Sequence, residues 1–290
     1  MNLGLSFSIF GKATCVMGGK AVPPEEKHFA QCQESGIEHV ELLVMDGYLA
    51  PGDWAALDEV VRLAEKYKVK INSVHGPAGY PTNQHWMADP DPEVRKRAVA
   101  ERALAIEAAA RLDARYCVVE YEAYTHWPYW PHEQSTQTVF PEVRQLWRES
   151  LEQLLHPATL FAVKLAIENI DGLPAGELME ELEPYTPDLV GVCLDTSHGS
   201  YENGLKEVLD VLTPRIIATH LSDNDCLGGS EYSDRHWFPF KGAIDWPWLL
   251  GRLACETACE CLVVEVLDRE RPWLTPEFVA AYSQLEALLP

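Results

Sequence analysis

Short apolar runs alternate along the whole chain with longer stretches in which apolar residues recur at i, i+3 and i+4. The short runs lie at 2–9, 38–44, 70–75, 116–121, 163–168, 190–195, 216–221 and 261–266, and they predict β-strands. The longer stretches lie near 24–35, 53–67, 91–112, 139–156, 177–183, 204–212, 246–256 and 275–288, and they predict helices. Residues 91–112 (DPEVRKRAVAERALAIEAAARL) carry the clearest helical pattern, rich in Ala, Glu and Arg. Asp53 and Thr275 stand where N-caps are expected, with Pro92 near a first turn and Pro276 at the first position of the last helix.

Strict alternation of strand and helix argues for a parallel sheet, because parallel neighbours need a crossover between them. Eight such units in 290 residues predict a closed (β/α)₈ barrel, α/β in class and a single domain over 1–290. An open doubly wound sheet would usually carry a Gly-rich phosphate turn after its first strand. Here that turn reads GKATCVMGGK, without GxGxxG spacing. Three long loops (76–90, 122–138 and 222–245) follow strands, on the face where a barrel places its site. They carry Tyr80, Trp86, Tyr124, Trp127, Tyr129, Trp130, Trp237 and Phe240, rings that can stack on sugar C–H faces or simply pack the loops onto the rim.

Composition narrows the partners. With 45 acidic against 23 basic residues the net charge is -22, a field that repels polyanions and disfavours nucleic acid. No stretch approaches the roughly 20 apolar residues needed to cross a bilayer. The opening MNLGLSFSIFGK has no basic segment before its apolar run, which argues against a secretory leader and for a cytoplasmic location. Eight cysteines include no CxxC pair, so they read as thiols in a reducing compartment. Exposed loop aromatics leave a homo-oligomer open.

Candidate chemistry gathers where apolar runs break. Glu168 ends KLAIE, Asp195 ends VGVCLD, His220 follows IIAT and Glu265 follows CLVV. Charged groups at the mouths of buried strands are costly unless something pairs with them. A divalent cation is the simplest common partner. Three carboxylates and an imidazole suit Mn²⁺, Mg²⁺ or Co²⁺, and Zn²⁺ is also admissible. His75, Glu120, His198 and the Asp234/His236 pair fall at further strand ends or in the seventh loop, as candidates for a second metal or for substrate contact. Glu41 lines the pocket or the barrel interior, and Arg235 and Lys241 are the cations near the proposed mouth.

Seven segments carry a family resemblance: HVELLV at 39–44, SVHGP at 73–77, AIENI at 166–170, CLDTSHG at 193–199, HLSDND at 220–225, DRHWFPFKGAIDW at 234–246 and VVEV at 263–266. In order and spacing the chain resembles the xylose isomerase-like barrels, which hold sugar isomerases and epimerases together with AP endonucleases of the endonuclease IV type. The resemblance implies that Glu168, Asp195, His220 and Glu265 hold one divalent metal and that Glu168 and Glu265 share the acid/base work. It implies that His75 and His198 contact substrate in sugar enzymes or bind zinc in endonucleases, and that Asp234 and His236 match a pair that holds a further zinc in the endonucleases and often persists in the sugar enzymes. Two departures stand out: Glu120 where the endonucleases carry a histidine, and Phe240 in place of the first glycine of a PGxG turn.

The expected function is therefore isomerisation or epimerisation of a small sugar or polyol, by proton transfer through a metal-stabilised enediolate. Trp86 and Trp237 are expected to line the substrate pocket with His75 and His198. The alternatives are zinc-dependent cleavage of abasic DNA, which the acidic charge disfavours, and dehydration of a keto-polyol on the same scaffold.

Overall fold

The computed structural model describes residues 1–13, 23–44, 49, 51–77, 86–121, 141–170, 173–200, 204–225, 235–266 and 274–290. Among them, strands β1 (Asn2–Ser6), β2 (His39–Leu43), β3 (Lys70–His75), β4 (Tyr116–Glu120), β5 (Lys164–Glu168), β6 (Val190–Asp195), β7 (Ile216–Leu221) and β8 (Cys261–Val264) follow one another around a closed barrel. All pairings are parallel, and β1 closes the ring by pairing with both β2 and β8. Helices α1 (Glu26–Glu34), α2 (Ala55–Tyr67), α3 (Pro92–Arg111), α4 (Pro141–Phe161), α5 (Ala175–Leu182), α6 (Leu205–Leu212), α7 (Trp246–Glu256) and α8 (Pro276–Glu286) alternate with the strands. This is the (β/α)₈ barrel that the alternation predicts.

Two apolar bodies hold it. The larger lies between the outer face of the strands and the helices, where side chains such as Leu42, Leu165, Trp147, Leu249 and Phe278 are fully covered. Helix α6 is too short to be stable alone. It docks by burying Leu205, Leu209 and Leu212, one stripe at helical spacing. The smaller body is inside the barrel, where Tyr116, Val118, Ala166, Cys193, Ile217 and Ala218 form a plug. Gly191 leaves room for it, since a Cβ there would lie 2.6 Å from Ile217 Cγ1.

Three expectations shift. The first strand stops at Ser6, and residues 7–13 turn into a 3₁₀ helix. Phe7, Ile9 and Phe10 stay buried, and an unbroken apolar run does not distinguish a strand from a buried turn. Helix α4 continues through Pro157 to Phe161. That proline removes one backbone bond, but buried Leu154 and Ala158 on either side keep the last turn docked. At α2 the N-cap position falls to Trp54, while Asp53 accepts from Ala55 N at 3.3 Å. Thr275 does cap α8, accepting from Phe278 N at 3.2 Å, and Pro276 opens that helix. Of six free cysteines among the described residues, five are buried and Cys255 is exposed. No described helix is long and apolar enough to cross a membrane.

Candidate metal centre

A closed barrel brings the C-terminal ends of all its strands to one rim. Glu168 is the last residue of β5, Asp195 the last of β6, and His220 the fifth of the six residues of β7. Glu265 stands one position beyond β8, but its N–H still donates to Leu221 O at 2.9 Å, so the ladder aims it inward. Each of the four offers one ligand atom, and those atoms lie within 4.8 Å of one another. All four side chains are buried.

His220 is the hub. Its Nδ1 lies 2.9 Å from Glu168 Oε1 and 3.2 Å from Glu265 Oε2, while Nε2 lies 3.0 Å from Glu41 Oε1. His75, at the end of β3, stacks on His220 with ring centroids 5.3 Å apart and planes within 9°. Its Nδ1 donates to Gly76 O at 2.7 Å, and its Nε2 faces Glu168 Oε2 at 3.4 Å. The Nδ1 proton of His198 goes to Asn169 O at 2.8 Å; the 3.7 and 3.9 Å separations from Glu168 and Asp195 are too long for hydrogen bonds. His198 N–H donates to Asp195 Oδ1 at 2.8 Å.

Burial works against ionising Glu168, yet the charges and hydrogen bonds of His220 and His75 prevail and hold its carboxyl well below the usual range. Glu41 is likewise held low against its burial, chiefly by His220. Glu265 moves the other way, because burial outweighs its attraction to His220 and His236. For His75, burial is overcome by the Glu168 hydrogen bond and charge, which raise its pKa to about 10.

Two oxygens identify what the site lacks. Asp195 Oδ2 is buried with no hydrogen-bond donor among the described residues, and Glu168 Oε2 is met only by His75 Nε2 at a long 3.4 Å. A buried carboxylate oxygen without a donor is expensive, and a cation is the partner that three converging carboxylates can share. Three carboxylates and one imidazole therefore fit a divalent metal. A second group, Asp195, His198 and His236, also brings its ligand atoms within 4.8 Å of one another, and His75 with Glu168 and His220 forms a third that overlaps the first.

Other expected site residues are placed less centrally, or not at all. Asp234 lies outside the described residues, as do Tyr80, Tyr124, Trp127, Tyr129 and Trp130. Glu120 ends β4 in register with Glu168 and is partly exposed, and it belongs to none of the three groups. Trp86 is half-buried in the turn ahead of α3. Trp237 is fixed by two backbone bonds to Asp223, and Arg235 lies over its ring with 5.7 Å to the centroid. Arg235 pairs with Asp225 at 3.1 Å and Lys241 with Glu277 at 3.1 Å. Phe240, in place of a family glycine, keeps the glycine-like conformation at φ 69° and sets its ring 6.0 Å from that of Trp246. Gly242 is indispensable, since a Cβ there would lie 2.1 Å from Asn224 O.

Sequence reasoning missed Asn169. Its side chain brackets the end of β6, accepting from Asp195 N at 2.7 Å and donating to Asp195 O at 3.1 Å. The signal was a second polar residue directly after the strand-end glutamate, buried like its neighbour.

Fold and rim together define a (β/α)₈ barrel with a buried, carboxylate-rich candidate cation site at the C-terminal ends of its strands. Residues 29–284 match the family model of the xylose isomerase-like TIM barrel, and the chain belongs to that family. No curated protein matches it in sequence. Among solved structures it is similar to a D-psicose 3-epimerase from Clostridium cellulolyticum H10, with 15% identity, 100% of this chain and 99% of that one covered, and a TM-score of 0.74. It is similar to a D-tagatose 3-epimerase-like protein at 20% identity, covering 99% and 97% of the two chains with a TM-score of 0.72. A 3-keto-D-glucoside 4-epimerase from E. coli aligns at 16% identity over 99% of each chain, with a TM-score of 0.69. At these identities the likeness is one of fold.

Proposed function

We propose that the protein is a divalent-metal-dependent sugar isomerase or epimerase. One observation carries the reading: Glu168, Asp195, His220 and Glu265, from four consecutive strand ends, present ligand atoms to a common buried point, where Asp195 Oδ2 has no donor among the described residues. These four residues would hold the metal, which would stabilise the negative charge that develops on the sugar's carbonyl oxygen when the neighbouring carbon loses its proton. Structural likeness to three proteins described as epimerases or epimerase-like is consistent with it.

Glu168 and Glu265 do the proton work. Each directs one oxygen toward His220 and the other away, Glu168 Oε2 toward His75 and Glu265 Oε1 toward Ser6. The two diverging oxygens suit a base and an acid on different sides of a bound sugar. If one carboxylate removes the proton and the other returns it from the opposite face, the product is an epimer. Return by the same group to the neighbouring carbon gives aldose–ketose isomerisation. His75 and His198 orient substrate oxygens, and Trp86 and Trp237 cover the sugar's apolar faces. With Arg235 and Lys241 both paired to carboxylates, the described rim favours an unphosphorylated sugar or polyol.

The Asp195–His198–His236 group supports a second reading, hydrolysis of abasic DNA with more than one zinc. The net charge of -22 and Glu120 in place of a histidine speak against it. Incubation with a panel of free ketoses plus Mn²⁺ in D₂O, beside abasic duplex DNA plus Zn²⁺, separates the two. The sugar reading expects a new epimer or isomer carrying solvent deuterium at the reacting carbon. Strand cleavage without sugar turnover would replace it. Glu168→Gln and Glu265→Gln should each lower kcat by roughly 10²–10⁴-fold, the range of a general acid or base.

A further inference from the structure

We propose that Glu41 is a positioning residue that fixes which nitrogen of His220 meets the metal. The proposal rests on the metal-centre reading above and adds to it a residue that does not itself reach the metal.

Glu41 lies within β2, in register with Ser6 of β1 and Ser73 of β3, where the β2–β3 pairing shifts between Val40 and Glu41. Irregularities of this kind re-aim a side chain. Here the carboxylate is 1% exposed inside the barrel, a place that otherwise holds the apolar plug. Burying a carboxylate there is costly unless its oxygens are matched. Both are matched: Ser73 Oγ donates to Oε2 at 2.8 Å, and Oε1 lies 3.0 Å from His220 Nε2. Across the same ring, Nδ1 faces Glu168 Oε1 and Glu265 Oε2, the centre where the four candidate ligands converge.

Carboxylates only accept, so with a metal between Nδ1 and the two glutamates facing it, the ring's one proton would go to Glu41 at Nε2 and the Nδ1 lone pair would be left for the metal. Ser73 holds Glu41 in turn. Metal-binding histidines commonly donate their second N–H to such a partner, and its loss typically costs ~10–100-fold in metal affinity. Gln at this position keeps the volume but can offer its NH₂ to Nε2, so the choice of nitrogen is released.

The test uses full-length protein labelled with ¹⁵N-histidine and loaded with zinc, together with Zn²⁺ and Mn²⁺ titration calorimetry. His220 in the wild type should show a metal-bound Nδ1 and a slowly exchanging Nε2–H, assigned by its loss in His220→Ala. Glu41→Gln should weaken both metals by about 10-fold or more and shift or broaden that proton. Ser73→Ala should do the same to a smaller degree. Wild-type protein that takes up metal through Nε2 of His220 overturns the proposal and leaves the metal centre standing, even if Glu41→Gln does not fold. So does Glu41→Gln with affinity within twofold of wild type and an unchanged proton signal. A wild type that binds neither metal overturns the metal-centre reading itself, and this proposal with it.

Discussion

Inside the barrel, Val118, Ala166, Cys193 and Ala218 fill the space with apolar atoms, while two residues further along the same strands stand Glu120, Glu168, Asp195 and His220. The lower set is apolar apart from the Cys193 thiol, which meets His220 above it. The upper set contains Asp195 Oδ2, with no donor among the described residues, and an imidazole crowded by three glutamates. Alternation along a strand thus serves two purposes: one layer seals the barrel, and the next gathers buried carboxylates around His220, the set proposed to hold a cation. The plug stabilises the fold. On the proposed reading, the rim trades stability for a binding site.

If that division is right, removing rim charge should harm binding and spare folding. Asp195→Asn keeps an oxygen for His198 N–H and removes an unmatched buried charge. The metal-free variant should melt no lower than wild type, while Mn²⁺ affinity falls by more than the ~10–100-fold typical of a residue outside the metal's own shell. A marked fall in melting temperature with affinity retained would erase the contrast between the layers. The plug should respond in the opposite sense. In Gly191→Ala the new Cβ meets Ile217 at 2.6 Å and Arg215 O at 2.8 Å. Overpacking of this kind costs roughly 1–3 kcal/mol, measurable by denaturant titration, and metal binding per folded molecule should stay unchanged.

A third effect is one of pH on the metal-free protein. His75 is raised from an ordinary 6.5 to about 10, with the Glu168 hydrogen bond and charge overcoming burial. A group raised on folding stabilises fully below its unfolded value, and that contribution is lost as pH rises through the folded one. Melting temperature should therefore decline between about pH 6.5 and 10 more steeply in wild type than in His75→Gln. Parallel curves would remove His75 from the account.

The sequence made the framework legible because most strands end where an apolar run meets a polar residue, although at β2 the apolar run continues through Leu43 and Val44. Glu168, Asp195, His220 and Glu265 were visible at those breaks, and barrel closure brings them together. What stayed hidden is pairwise and distant. The contact of Glu41 with His220 spans 179 positions, and no periodicity encodes which side chain across the barrel a buried glutamate will meet. Asn169 escaped for a related reason, since its role is to hold the backbone of the next strand. At Phe7–Phe10 the apolar pattern was real but served a 3₁₀ turn, because burial and not strand geometry fixes which residues are apolar.

The most direct measurement is anomalous diffraction from crystals grown with Mn²⁺. Glu168, Asp195, His220 and Glu265 are predicted to share one strong peak, with Nδ1 as the histidine donor. Full-occupancy metal elsewhere, and none among those four side chains, would contradict the account.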